Sequence, residues 1–201
     1  MLIGLTGIYC AGKNHIGSLL EKRGLPVLDV DKLGYQALEM EKETIFTRFG
    51  ADLKKAGNDW QSNALFDRQL LGRVVFGNPE KLAILEAIIH PVVNKMTNEW
   101  ISAQNGHCVI NAALLHRSSV FTQIDRIILV KAPFITRFIR AKRRDKLSCK
   151  DILKRFRSQK DFYTQYLSIK AEIYKVENSG LFGTRNSKLN RQIDKILEGI
   201  K

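Results

Sequence analysis

The sequence predicts an α/β protein in which a parallel sheet flanked by helices is interrupted by a helical block. Three observations predict it. The apolar run Leu2-Ile3-Gly4-Leu5 leads through a glycine-bracketed loop into a helical pattern; two further short β-branched runs, Cys108-Val109-Ile110 and Ile127-Ile128-Leu129-Val130, come much later; and a long stretch before them reads as helix. With 201 residues, 44% of them apolar, the chain can bury a real core as one domain with insertions.

In chain order, Leu2 to Thr6 is a short apolar segment ended by glycine, the pattern of a buried parallel strand. Ile16, Leu19 and Leu20 recur at helical spacing, and Gly24 after Lys22-Arg23 stops that helix. Pro26 opens a second strand, Val27 to Asp31, whose carboxyl end carries Asp29 and Asp31, where ligands of open α/β sheets bind. From Leu33 to about Asn105 the pattern is helical, with breaks at Phe49-Gly50, Ala56-Gly57-Asn58-Asp59 and Gly77-Asn78-Pro79; Leu82, Leu85, Ile88, Ile89 and Val92 form its apolar stripe. Pro133 suits the first turn of a helix carrying Arg137, Arg140, Arg143 and Arg144, and the spacing puts Arg137, Arg140 and Arg144 on one face. Ile152 to Tyr174 reads as helix again and Val176 to Gly180 as a strand end and turn. Leu189, Ile193, Ile196 and Leu197 mark a closing amphipathic helix.

The chemistry concentrates in Gly7-Ile8-Tyr9-Cys10-Ala11-Gly12-Lys13-Asn14, which fits G-x-x-x-x-G-K-[ST] except at its last position. In that phosphate-binding loop, the P-loop, successive backbone N–H groups cradle phosphates, the lysine neutralises them and the hydroxyl reaches magnesium. Asn14 stands in place of the hydroxyl. A strand before the loop and a helix after it are the context the motif requires.

Composition narrows the class. Cys10, Cys108 and Cys149 are isolated, with no C-x-x-C spacing, so reduced thiols are expected and neither a disulfide framework nor a zinc site is. His15, His107 and His116 show no metal-ligand spacing. No apolar run approaches the ~18 residues of a membrane span, and Met1 leads straight into a strand-like segment; a soluble cytoplasmic protein is expected. The net charge of +13 is uneven, with 12 Lys+Arg against 2 Asp+Glu between Lys131 and Lys160. Such a block serves as a solvated helix face, or binds nucleic acid, an anionic surface or a substrate carrying several phosphates.

The ordered set of short motifs resembles the dephospho-coenzyme A kinase family, small P-loop kinases of the nucleoside-monophosphate kinase type. The matches are Gly4-Leu5-Thr6-Gly7, Ala11-Gly12-Lys13, Asp29-Val30-Asp31, Phe49-Gly50, Asp67-Arg68 with Phe76 eight residues on, His90-Pro91, Leu114-Leu115, Arg140 with Arg144-Asp145, Gln159 and Asn178-Ser179-Gly180. The resemblance implies a single P-loop chain over 1–201: a P-loop NTPase core of about 1–32, 106–132 and 175–201, a helical substrate-binding insertion of about 33–105, and a basic helical lid of about 133–174. It implies transfer of phosphate from ATP, with Mg2+, to the ribose 3′-hydroxyl of dephospho-coenzyme A. Membrane and nucleic-acid partners are not expected, since the basic stretch lacks an interleaved aromatic stacking pattern and falls where a lid belongs; the oligomeric state is open. Alternatives are another small-molecule or nucleoside kinase of this fold, or a degenerate P-loop protein that binds nucleotide or nucleic acid without catalysis.

Carried onto this sequence, the resemblance and the motif chemistry assign catalysis to Lys13, Asp31 and Arg140. Lys13 is to contact the β- and γ-phosphates, with Cys10, Ala11, Gly12, Lys13, Asn14 and His15 wrapping them at a helix N-terminus. Asp31 is to accept or orient the 3′-hydroxyl proton, or alternatively to cap a helix. Arg140, with Arg144, is to close over the phosphates, or alternatively to lie on a solvated helix face. Asn178 is to lie near the adenine, or to serve as a turn residue. Arg68 and His90 are candidate substrate contacts with structural roles as the alternative, His90 at a helix break. Asn14 is the candidate metal group.

The chain departs from the family pattern where glycines give way to Ile8 and Cys10, the hydroxyl pair to Asn14-His15, a strand-end aspartate to Asn111, a proline to Ala113 and a glutamate to Arg117. Bulky side chains restrict the backbone of an anion-cradling loop. The expectation is a working kinase with altered metal coordination.

Overall fold

The computed structural model describes residues 1–55, 67–166, 169–180 and 187–199. They fall into two compact units, residues 1–29 with 100–201, and residues 30–99. The strands are β1 (Leu2–Gly7), β2 (Val27–Asp29), β3 (Cys108–Asn111), β4 (Arg126–Lys131) and β5 (Glu172–Glu177). The helices are α1 (Lys13–Glu21), α2 (Val30–Met40), α3 (Lys42–Lys55), α4 (Arg68–Val75), α5 (Pro79–Ser102), α6 (Phe134–Asp145), α7 (Cys149–Arg157) and α8 (Ser187–Glu198).

In the first unit the strands form one parallel sheet in the order β2-β3-β1-β4-β5. Every residue of β1 and β3 is buried, which explains their continuous apolar runs, because an inner parallel strand is covered on both faces. Ile3, Leu5, Ile16, Leu20, Val130 and Ile193 bring β1, β4, α1 and α8 into one core. The register sets Asn111 opposite Leu5 on one side and Asp29 on the other. Since all strands run the same way, Asp29 and Asn111 end at the sheet edge from which the loop after β1 departs.

The structure corrects several expectations. β2 stops at Asp29, and Asp31 is the second residue of α2; it is neither at a strand end nor a helix cap, and as an acid in the first turn it complements the helix dipole. Phe49-Gly50 lies inside α3, where buried Phe49 and Leu53 offset the roughly 0.5–1 kcal/mol a helical glycine costs. His90-Pro91 does not break α5, which runs on for 24 residues; Ile89, Val92 and Val93 pack into the core of the second unit and compensate the hydrogen bond that proline removes. The Gly77-Asn78-Pro79 break is present, with Gly77 at φ +98° and Pro79 opening α5. The break expected at Ala56 to Asp59 lies outside the described residues. Pro133 caps α6 and does not enter its first turn. The helix expected through Tyr174 ends at Arg157, and Glu172 to Tyr174 belong to β5, whose backbone pairs with β4.

Candidate active site

The loop between β1 and α1 is built on two left-handed residues. Gly12 has φ +94°, and a Cβ there would sit 2.4 Å from the Asn178 side-chain nitrogen, so the position admits glycine alone. Cys10 has φ +61°, a conformation that costs a non-glycine residue roughly 1–2 kcal/mol. The cost is offset locally: Ala11 N–H donates to the Ile8 carbonyl at 2.9 Å, and the buried Cys10 side chain packs with Ala141 and Ile152 of α6 and α7. Burial pushes the Cys10 thiol up, against an opposing pull from Arg144.

Arg140 lies against this loop as a brace. Its Nη1 donates to the carbonyls of Cys10 (3.2 Å) and Ala11 (3.0 Å), and its Nη2 donates to the Asn178 carbonyl (3.1 Å), to Asn178 Oδ1 (3.0 Å) and to the Gly180 carbonyl. Buried Asn178 completes the clamp by donating Nδ2 to the Ala11 carbonyl at 2.9 Å. Desolvation lowers the Arg140 pKa. His15, on the first turn of α1, is pushed down by desolvation and by the Arg140 and Lys22 cations.

Lys13 opens α1, its Nζ donating to Asn14 Oδ1 (3.0 Å) and Asn111 Oδ1 (3.2 Å). Asn111 Nδ2 donates to Asn14 Oδ1 at 3.1 Å, and Asn14 Nδ2 donates to Asp29 Oδ2 at 3.3 Å. The other carboxylate oxygen, Asp29 Oδ1, is buried and has no hydrogen-bond partner among the described residues.

Tyr9, on the loop, and Asp145 were not singled out for a role by the sequence. The Tyr9 N–H donates to Gln159 Oε1 at 2.7 Å, its hydroxyl donates to Asp145 Oδ2, and its ring lies beneath the guanidinium groups of Arg144 (5.3 Å) and Arg155 (5.4 Å). Arg144 bonds Asp145 through Nε at 2.7 Å and Nη2 at 3.1 Å, which raises the Arg144 pKa and holds the Asp145 carboxyl below its ordinary value. The partners lie more than 130 residues apart in sequence, so no local pattern announces the cluster.

The remaining candidates belong to the second unit. Asp31 is exposed on α2. Arg68, after the α4 cap Asp67, holds its guanidinium 4.6 Å from the Tyr35 ring centroid, and His90 is exposed on α5. Among the described residues no His, Cys, Asp and Glu cluster is placed to hold a metal ion by itself, and no helix is long and apolar enough to cross a membrane.

A glycine loop joining the first strand of a parallel sheet to a helix that begins with lysine defines a P-loop protein, and the sheet with its flanking helices is the fold of the P-loop kinases. The chain matches the family described as Dephospho-CoA kinase over residues 1–178 and belongs to that family. It is 31% identical to the dephospho-CoA kinase of Treponema denticola over 200 residues, covering 97% of this chain and 90% of that one. A crystal structure from Thermus thermophilus superposes with TM-score 0.80 at 28% identity, covering 100% and 98% of the two chains. The dephospho-CoA kinase of Campylobacter jejuni shares the fold at TM-score 0.69 and 21% identity, covering 99% and 96%.

Proposed function

We propose that this protein transfers the γ-phosphate of ATP to the ribose 3′-hydroxyl of dephospho-coenzyme A. The observation that carries the reading is Lys13 at the first residue of α1, directly after the left-handed Gly12, in a chain of the dephospho-CoA kinase family. Backbone N–H groups of Cys10 and of Gly12 to His15, with the free end of the helix dipole, bind the phosphates, while the Ala11 N–H closes the loop on the Ile8 carbonyl; Lys13 neutralises charge on the β- and γ-phosphates. Asp31 takes the proton of the 3′-hydroxyl as its oxygen attacks the γ-phosphorus. The bond from that phosphorus to the β–γ bridging oxygen breaks, and ADP leaves with the electron pair.

Arg140 acts as a positioning residue. Its two terminal nitrogens already serve five acceptors on the loop and on the turn after β5, which favours bracing the cradle over the direct phosphate contact that its motif suggests. Asn178 shares that role. Arg144, exposed beside Tyr9, is the arginine better placed to answer charge at the loop surface. Arg68 and His90 are substrate contacts on the insertion.

The residues present fit a divalent cation that arrives with the nucleotide: the orphaned Asp29 Oδ1 supplies a carboxylate oxygen, and Asn14 stands beside it. Asp29 would hold Mg2+, which supplies charge neutralisation for the β- and γ-phosphates.

Supplying labelled ATP to a panel of acceptors, including dephospho-coenzyme A, nucleosides and shikimate, tests the assignment. Label is expected on dephospho-coenzyme A; transfer to another acceptor alone would refute the substrate.

A further inference from the structure

We propose that Asn14 and Asn111 act as one coupled amide pair and that Asp29, not the loop side chain, is the protein's contact to the divalent cation carried by the nucleotide. The inference rests on the kinase reading above and deepens it by assigning Asp29 and by joining two separate departures into one device.

The bonding pattern makes the pair. Asn14 Oδ1 accepts from Lys13 Nζ at 3.0 Å and from Asn111 Nδ2 at 3.1 Å. An amide oxygen has two lone pairs, and here an ammonium and an amide N–H occupy them. Cation ligation by that oxygen would bring a divalent charge against Lys13 and displace a donor. The loop side chain that ordinarily reaches the metal is therefore committed within the protein.

The Asn14 amide nitrogen meanwhile donates to Asp29 Oδ2 at 3.3 Å, leaving Asp29 Oδ1 buried without a partner among the described residues. A buried carboxylate oxygen in that condition is a costly group, and a hard cation or its water satisfies it. Sheet register sets Asp29 directly across from Asn111, itself buried.

The two asparagines fit each other for the same reason. A carboxylate at position 111 has no N–H to give Asn14, and it would stand next to Asp29 as a second negative charge. A serine at position 14 is too short to span Asn111 and Asp29 together. One change without the other leaves a broken network, whereas both leave Asp29 as the carboxylate of the cluster.

ATP affinity measured by titration in chelator and in Mg2+, with Mn2+ bound in the ATP complex read by electron paramagnetic resonance, tests this without turnover. Asp29→Asn is expected to lose the metal-dependent gain in ATP affinity, read as the ratio of its affinities in Mg2+ and in chelator, by about tenfold or more. Asn14→Ser and Asn111→Asp are each expected to lower the gain, and the double variant to recover most of it. A wild-type gain in Asp29→Asn, or additive losses in the double variant, would overturn the proposal. If Asp29→Asn does not fold, Asp29→Glu takes its place, and an unchanged ratio of Mn2+ to Mg2+ affinity in its ATP complex would overturn it. A wild-type protein that binds no ATP in either condition would overturn the kinase reading and this inference together; a metal-dependent gain that Asp29→Asn retains would overturn the inference alone.

Discussion

Arg140 and Asn178 hold the phosphate loop jointly: Arg140 Nη2 donates to Asn178 Oδ1 at 3.0 Å while Asn178 Nδ2 donates to the Ala11 carbonyl at 2.9 Å. Their shared targets are loop carbonyls, so the pair directs the opposite side of the loop backbone, its N–H groups, toward an anion.

Removing Arg140 takes its donors from the Cys10 and Gly180 carbonyls and leaves Ala11 with Asn178, whereas removing Asn178 leaves Ala11 with Arg140 and takes from Arg140 its side-chain acceptor. Arg140→Ala should destabilise the protein by about 2 kcal/mol or more and weaken ATP binding. Arg140→Lys should recover little, because one ammonium cannot serve both carbonyl sets. The double variant Arg140→Ala/Asn178→Ala should cost less than the sum of the singles. Urea unfolding and nucleotide titration check all three.

Gly12→Ala places a Cβ 2.4 Å from Asn178 Nδ2 at a backbone φ of +94°. The Asn178 amide must move, which disrupts the clamp together with the loop. The expected outcome is a folded protein, less stable by about 1–3 kcal/mol, with no measurable ATP binding by calorimetry.

Thiol chemistry should separate the cysteines. Cys10 and Cys108 are buried and burial pushes both thiols up, while Cys149 is exposed at the start of α7. Iodoacetamide on the native protein at neutral pH should therefore modify Cys149 and spare Cys10, as read by peptide mass spectrometry. ATP binding should survive that treatment.

The Tyr9 cluster should respond to acid. Hydrogen bonds from Arg144 hold the Asp145 carboxyl below the ordinary aspartate value of 3.8, so its folded pKa is depressed. A depressed carboxylate contributes stability that is present above the unfolded pKa and disappears as pH falls through the folded one. Thermal stability should fall on acidification below about pH 4, and Asp145→Asn should flatten the curve in that window. Tyr9→Phe, which removes the hydroxyl donor to Asp145, should cost about 0.5–1.5 kcal/mol at neutral pH.

Much of this was legible in the sequence because its signals are local. Leu2 to Gly7, the glycine loop and the stripe from Ile16 to Leu20 fall within two dozen residues, and strand, loop and helix periods can be read there directly. Pairing across long separations was not legible: Tyr9 with Asp145, and Asp29 opposite Asn111, depend on the order of the sheet and the packing of α6 and α7. The end of β5 at Val176-Glu177 was legible, but its start was hidden because Glu172 to Tyr174 read equally as helix, and only pairing with β4 decides the strand there. Arg140 was visible as an important cation, yet its targets are backbone carbonyls, which leave no trace in residue identity.

The most direct measurement is mass-spectrometric detection of coenzyme A after incubating the folded protein with dephospho-coenzyme A, ATP and a magnesium series, with Lys13→Ala alongside. Magnesium-dependent coenzyme A formation is expected, reduced by about 100-fold or more in Lys13→Ala. No coenzyme A at any magnesium concentration, from protein shown to be folded, would contradict it.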